Sequence, residues 1–365
     1  ESPIYCEDLS NVKLNCLHRR PAYLKGRITK GRFPPFEIDA IKNANDIGQF
    51  SNVNFEDFLK ENETKIKILS IGDSQVESLQ VNNELSFHGL MNLHEGYIDE
   101  KNKEKKFMST AIGSSGMAFP NYIKSLEYAL NKTNLDNAYI IFNVQPNDFD
   151  ASFQEYGVIG RRSGKGQFYF DEEGEFVFKD FIKENNKESA ISYLLKKSAF
   201  IRYLTYNTNF LKQLKYSKMY CLINNNLSQC SKKYFNHAAN VKEENYSDNP
   251  IRFEKGYKAT NFFLEKISLI RDTPEKKLKT ILLIDADRGF IQGNYSKKGV
   301  YFEKQKKYLI DQAKKFGFTI VDLEETFTKG YKNGNRLNST VDGHWNEFGH
   351  KLAFIEIMKI IESSQ

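Results

Sequence analysis

Cysteine and histidine are scarce, with four of the first and six of the second in 365 residues. The cysteines fall as two local pairs, Cys6 with Cys16 and Cys221 with Cys230, and neither pair has the CxxC spacing or the neighbouring histidines of a structural zinc site. There is no H-E-x-x-H and no EF-hand loop, so no metal is expected. The sequence also lacks a P-loop and a dinucleotide fingerprint, and no cofactor is expected. No apolar run reaches transmembrane length. Neither sign of charge dominates: 53 basic residues stand against 47 acidic, a net +6 spread along the chain. The densest basic runs, 101–106 and 276–279, are too short for the clustered face that a nucleic acid requires.

The even number and local pairing of the cysteines point to short-loop disulfides, Cys6–Cys16 and Cys221–Cys230, with free thiols as the alternative. Disulfides place the chain in an oxidising compartment, periplasmic or extracellular. The sequence opens on Glu1 and not on Met, which suggests a beginning that has been removed. A signal peptide or membrane anchor would be such a segment, and membrane attachment is expected only through it.

What is present is a globular composition, 40% hydrophobic and 14% aromatic, in a chain long enough for one large domain or for a core with one insertion. The most informative stretch is 65–78. Ile66, Ile68, Leu69 and Ile71 read as a buried strand, Gly72 as a turn that a side chain would obstruct, and Ser74 as sitting at the strand's C-terminal edge. Open α/β sheets place their sites at that edge. Alone, Ser74 reads as the cap of a helix formed by SQVESLQVNNELS. A serine hydroxyl becomes a nucleophile only with a base, and Asp342-Gly343-His344 offers a histidine with a carboxylate beside it.

Further junctions follow the same pattern. A strand at 107–111 runs into Ile112-Gly113-Ser114-Ser115-Gly116 and then a helix over 122–131, and a strand at 138–144 runs into Gln145-Pro146-Asn147-Asp148. Later come a helix at 255–270, a strand at 280–284 ending in Asp285-Ala286-Asp287-Arg288, a helix at 303–316, a strand at 319–323 and a closing helix at 346–361. This rhythm predicts an α/β fold with a parallel sheet and helices on both faces. Between the two halves, 167–178 reads as an exposed hairpin, 188–216 as an amphipathic helical stretch and 221–249 as polar loop. The expected organisation is an irregular N-terminal wrap over 1–62, core over 63–150, an inserted hairpin and helical cap over 151–248, and core again over 249–365.

In order, Gly72-Asp73-Ser74, Gly116, Asn147-Asp148 and Asp342-x-His344 resemble the SGNH, or GDSL-like, hydrolases over residues 66–150 and 278–361. The resemblance implies a three-layer α/β/α fold around a central parallel sheet, here with an inserted cap, and an acyl-serine mechanism. It implies Ser74 as nucleophile, His344 as base and Asp342 as the acid that orients the imidazole. The implied oxyanion hole is the backbone N–H of Ser74, that of Gly116 and the side-chain amide of Asn147. Gly116 is preferred to Gly113 because the family's glycine stands just before a short stretch of small or polar residues that opens the next helix. Pro146 departs from the family, which usually has glycine there, and one residue separates Asp342 from His344 where two are commoner. That spacing, with Trp345-Asn346 after it, looks like the D-x-H-W-N block of alginate O-acetyltransferase-like members, although in some of those the block precedes the nucleophile.

Other readings stand beside these. His350 competes with His344 for the base but falls inside the closing helix, and Asp73 adjoins Ser74 as a turn residue. Trp345, the only tryptophan, either lines an acyl or sugar pocket or packs in the core. Asp287 and Arg288 follow a core strand, and either touch substrate or form a surface salt bridge. The expected activity is a serine esterase that removes O-acyl groups, chiefly O-acetyl, from a carbohydrate or polysaccharide. The alternatives are an O-acetyltransferase acting on a polysaccharide and a catalytically silent glycan-binding protein of the same fold.

Overall fold

The computed structural model describes residues 4–7, 15–18, 20–30, 37–60, 65–98, 104–132, 135, 137–153, 167–179, 250–271, 278–293, 300–339 and 341–364. The chain divides into two compact units, one of Glu1–Ile28, Ala40–Ile182 and Pro250–Gln365, the other of Thr29–Asp39 and Lys183–Asn249. The described residues 151–153 and 167–179 fall in the first of these units. The helical stretch expected at 188–216 and the loop at 221–249 lie outside the described residues.

The N-terminal segment is not the irregular wrap that its prolines imply. Strands β1 (Ile4–Glu7) and β2 (Asn15–His18) pair antiparallel with Cys6 opposite Cys16, and β3 (Lys25–Lys30) pairs with β4 (Ile38–Asn43). Four-residue strands are too short for alternation to show in sequence. In β4 the inward positions are Ile38, Ala40 and Lys42, and the buried lysine hides the pattern. Helix α1 (Phe55–Leu59) follows and buries Phe55 and Phe58.

The core then runs β5 (Lys65–Gly72), α2 (Ser74–Glu77), α3 (Phe87–Leu93), β6 (Tyr97–Ile98), β7 (Glu104–Gly113), α4 (Phe119–Lys132), β8 (Tyr139–Val144) and α5 (Asp148–Ala151). After the hairpin of β9 (Gln167–Phe170) and β10 (Phe176–Lys179) come α6 (Pro250–Arg271), β11 (Lys279–Ile284), α7 (Arg288–Ile291), α8 (Val300–Lys315), β12 (Thr319–Asp322), α9 (Glu324–Lys332) and α10 (Glu347–Ser363). One sheet takes the order β12-β11-β8-β5-β7-β6, parallel except for the short β6 at its edge. Counting only the parallel strands in chain order, the arrangement is 2-1-3-4-5, that of doubly wound α/β sheets.

Both faces of the sheet are covered, as the near-continuous apolar strands require. On one face Leu69, Ile71, Ile140, Phe142, Leu282 and Ile284 pack with residues of α4, α6 and α8. On the other, Ile68, Ile141, Ile281, Leu283 and Val321 pack with residues of α3, α9 and α10. Each such side chain, fully buried, contributes roughly 1.5–3 kcal/mol, so the two faces hold the strand order firmly.

The 167–178 hairpin forms with one strand buried and the other, β10, exposing Val177 and Phe178. All four residues of β9 are buried: Phe170 packs on Phe153, Phe176 and Phe262, while Gln167 and Tyr169 on the opposite face bond to each other. The helix expected from SQVESLQVNNELS is one turn, α2, which Ser78 ends in the left-handed region with φ 49°. Gly72 does not have a positive φ; its role is clearance. It lies opposite Gly113 in the β5–β7 register, and a Cβ on either would come within 2.7 Å of the Val76 side chain.

Candidate active site

In the 2-1-3-4-5 order, chain connections diverge between β5 and β8, and a crevice opens beyond their C-terminal ends at that point. Ser74 follows β5 and Asn147 follows β8, so the topology alone brings these two junctions together. Asp73 caps α2, accepting the Gln75 N–H through Oδ1 at 3.1 Å, and its Oδ2 accepts the Ser74 hydroxyl at 3.3 Å. The Asn147 side chain and the charge of His344 both act to lower the same carboxyl. Burial pushes Asp73 up to about 6, against these and the bonds from Gln75 and Ser74. Ser74 is half-buried and Asn147 exposed at the mouth.

His344 sits on a short loop ahead of α10, whose N-cap Asn346 accepts the Gly349 N–H at 3.0 Å. The imidazole Nδ1 bonds to Asp342 Oδ1, which also accepts the His344 N–H at 3.1 Å. With the proton assigned to Nδ1, the lone pair is on Nε2, the arrangement of a general base. The imidazole is about one-third exposed and the Asp342 side chain 14%. His350, the competing histidine, is fully buried, stacks on Phe87 and accepts the Phe87 N–H at 3.4 Å. It is a core residue.

The loop after β7 is held at several points. The Gly113 N–H donates to Gln49 Oε1 at 2.9 Å, whereas Gly116 adopts φ 86° and its carbonyl accepts Gln167 Nε2 at 2.9 Å. Between them Ser115 donates from its N–H (2.8 Å) and its hydroxyl (2.5 Å) to Glu77 Oε2, while Glu77 Oε1 pairs with Arg20. Burial would push the Glu77 carboxyl up, but Arg20 and Ser115 outweigh it and hold the group below its ordinary range. Among the described residues neither the Ser74 N–H nor the Gly116 N–H donates to a protein acceptor.

Beneath Asp73 lies a second acid. Asp148, fully buried, accepts Tyr122 Oη at 3.0 Å and the Gln145 N–H at 2.7 Å; burial and the Asp73 charge push its carboxyl well above the usual range. Lys42 supports the turn after α2 from the other side, donating to the Ser78 carbonyl at 2.9 Å and the Val81 carbonyl at 3.1 Å. Burial lowers this ammonium to about 7, with Glu77 and Glu84 opposing.

Ser74, Asn147 and His344 with Asp342 thus gather around Asp73, and Gly116 closes the same end of the sheet. Three residues considered as substrate contacts are engaged within the protein. Trp345 is completely buried against Phe87 and Phe327, with its indole N–H donated to Asp285 Oδ1 at 3.1 Å. Asp287 caps α7 and accepts the Phe290 N–H. Arg288 pairs with buried Asp285 at 2.8 Å and donates to Asn338 Oδ1 and to the Gly343 carbonyl. Sequence reasoning missed Glu77, Gln49 and Gln167, whose partners lie 38 to 64 residues away and leave no local signal. Among the described residues no group of three or more His, Cys, Asp or Glu side chains is placed to hold a metal ion.

No protein-family model and no curated protein sequence matches the chain. Solved structures do. A member of the lipolytic G-D-S-L family from Veillonella parvula is similar with a TM-score of 0.38 and 10% identity, covering 81% of this chain and 97% of the other. An acetyl xylan esterase, AlAXEase, has a TM-score of 0.41 and 12% identity over 81% of this chain and 100% of its own. A catalytic mutant of an acetylxylan esterase from Geobacillus stearothermophilus has 0.38 and 10% over 80% and 93%.

Proposed function

We propose that the protein is a serine carboxylic-ester hydrolase that works through an acyl-serine intermediate. The observation that carries this reading is the convergence of Ser74, Asn147 and the Asp342–His344 pair around one buried carboxyl at the switch point of the sheet. When an ester enters, the Ser74 hydroxyl exchanges its bond to Asp73 for one to His344 Nε2, which takes the proton as Oγ attacks the carbonyl carbon. The oxyanion then forms against the unpaired N–H groups of Ser74 and Gly116 and the Asn147 amide, donors aimed at charge that exists only in the tetrahedral intermediate. His344 returns the proton to the leaving alcohol. Water, activated by the same imidazole, releases the acid.

The substrate in this reading is an O-acetyl ester on a carbohydrate. Among the described residues, the exposed large apolar side chains are Tyr23, Leu24, Ile41, Leu93, Val177, Phe178, Ile251 and Leu269, and none belongs to the Ser74, Gly116, Asn147 or 338–346 segments. A long acyl chain needs an apolar lining; a short one does not. The one-residue spacing in Asp342-Gly343-His344, followed by Trp345-Asn346, favours a second reading, transfer of the acetyl group to a sugar hydroxyl. Purified protein offered p-nitrophenyl acetate, with and without an oligosaccharide acceptor and beside Ser74→Ala, tests both. Turnover no faster than Ser74→Ala overturns the enzyme and leaves a glycan-binding module; acetylated sugar in the acceptor tube moves the assignment to a transferase.

Export belongs to the same proposal. Cys6 and Cys16 stand opposite each other in the β1–β2 register, while Cys221 and Cys230 lie outside the described residues. No helix among the described residues is long and apolar enough to cross a membrane. An intact mass showing four free thiols would remove the support for an oxidising compartment.

A further inference from the structure

Resting on the reading of His344 as the base, we propose that Asp285 and Arg288 are positioning residues that brace the His344 loop against the end of β11. Asp285 is fully buried just past β11, and its own N–H donates to the Val144 carbonyl at 3.0 Å, which anchors it to the neighbouring strand. Its Oδ1 accepts the Trp345 indole at 3.1 Å and the Ala286 N–H at 2.8 Å. Its Oδ2 accepts Arg288 Nε at 3.0 Å and lies 2.8 Å from Nη2. Arg288 Nη1 then donates to the Gly343 carbonyl and, at 2.5 Å, to Asn338 Oδ1. The residues on either side of His344 are thereby tied to one carboxylate, Trp345 directly and Gly343 through the guanidinium.

The loop needs such a tie. His344 belongs to no helix or strand, and Gly343 before it is exposed with nothing within 4 Å of where a Cβ would stand. A base carried on an unfixed loop would sample positions out of reach of Ser74, and a misplacement of about 1 Å can cost about 100-fold in rate. A planar guanidinium can face a carboxylate with one edge and a carbonyl with another, which a lysine ammonium cannot do at this separation. Neither residue is a catalytic residue: both act through the loop.

The test compares wild type with Arg288→Met, Arg288→Lys and Asp285→Asn, measuring kcat and KM on p-nitrophenyl acetate and the rate at which a fluorophosphonate labels Ser74. Arg288→Met is expected to lose about 100-fold in kcat and in labelling rate, with KM within about two-fold of wild type. Arg288→Lys should recover part of the loss. Wild-type kcat in Arg288→Met, or a loss confined to KM, overturns the brace. Amide hydrogen exchange at 343–346, measured without substrate, keeps the two readings apart. Faster exchange in Arg288→Met supports the brace even if wild type fails to label, an outcome that sinks the esterase; unchanged exchange overturns the brace whatever the kinetics. If Arg288→Met does not fold, Arg288→Lys carries the same measurements.

Discussion

Gln75 Oε1 accepts the backbone N–H of Trp345 at 3.0 Å, so the residue after the proposed nucleophile holds the residue after the proposed base. The two are 270 positions apart in sequence and both are buried. This bond ties the β5 junction to the loop ahead of α10. Gln75→Leu keeps the bulk and removes the acceptor, which leaves a buried N–H unpaired at a cost of about 1–3 kcal/mol. Urea unfolding should show that loss, and kcat should fall further than the stability change accounts for. An unchanged midpoint together with unchanged kcat would show the contact to be incidental.

Groups that act as one unit do not add when removed. Ser74→Ala and His344→Ala should each lower kcat by about 10⁴-fold or more, and the double variant should fall no further than the worse single one. Asp342→Asn should lose about 10⁴-fold in kcat, because an amide that donates to Nδ1 leaves the proton on Nε2 and the imidazole in the wrong tautomer. Steady-state kinetics on p-nitrophenyl acetate read all four proteins. Additive losses in the double variant would mean that serine and histidine serve separate steps.

Asn147 is exposed, so its truncation should cost little stability. Its amide acts on the Asp73 carboxyl in the resting structure and turns to the oxyanion in the proposed intermediate. Asn147→Ala is therefore expected to lower kcat by about 10²- to 10³-fold with KM little changed. A rise in KM at constant kcat would instead make Asn147 a ground-state substrate contact.

Much of this architecture is legible in the chain, and the reason is burial. Strands such as 66–71 and 138–144 are covered on both faces, so they read as mostly apolar runs ending in small or polar residues, and the proposed site sits at those ends. What is not legible is whatever depends on long-range polar partners. Lys42 occupies an inward strand position because three oxygens of the turn after α2 receive it, and no periodicity can announce that. Trp345 reads equally well as pocket or core until Asp285 is seen to take its indole proton. Gly72 and Gly113 look like turn glycines, yet their paired clearance for Val76 exists only once the strands are in register.

Asp73 gives the fold a pH dependence whose sign can be worked out. Its folded carboxyl titrates at about 6 because burial disfavours the anion, against 3.8 for the unperturbed group. Between those values the native state binds more protons than the unfolded state, so this group makes stability fall as pH rises through the window. Below the window its ionisation costs the fold nothing; above it the cost is constant, at most about 3 kcal/mol for a difference of this size. Asp73→Asn removes the charge and keeps an oxygen to accept the Gln75 N–H. Any pH-independent cost of the substitution cancels when the two proteins are compared at two pH values. Relative to wild type, the variant should therefore be more stable at pH 8 than at pH 4, measured by urea unfolding at both. The wild-type ester hydrolysis rate is not needed for this comparison, so it stands even where the catalytic reading does not. A stability difference that stays flat from pH 4 to pH 8 would mean that Asp73 ionises at its ordinary strength, and that the carboxyl around which Ser74, Asn147 and His344 gather is better solvated than its burial implies.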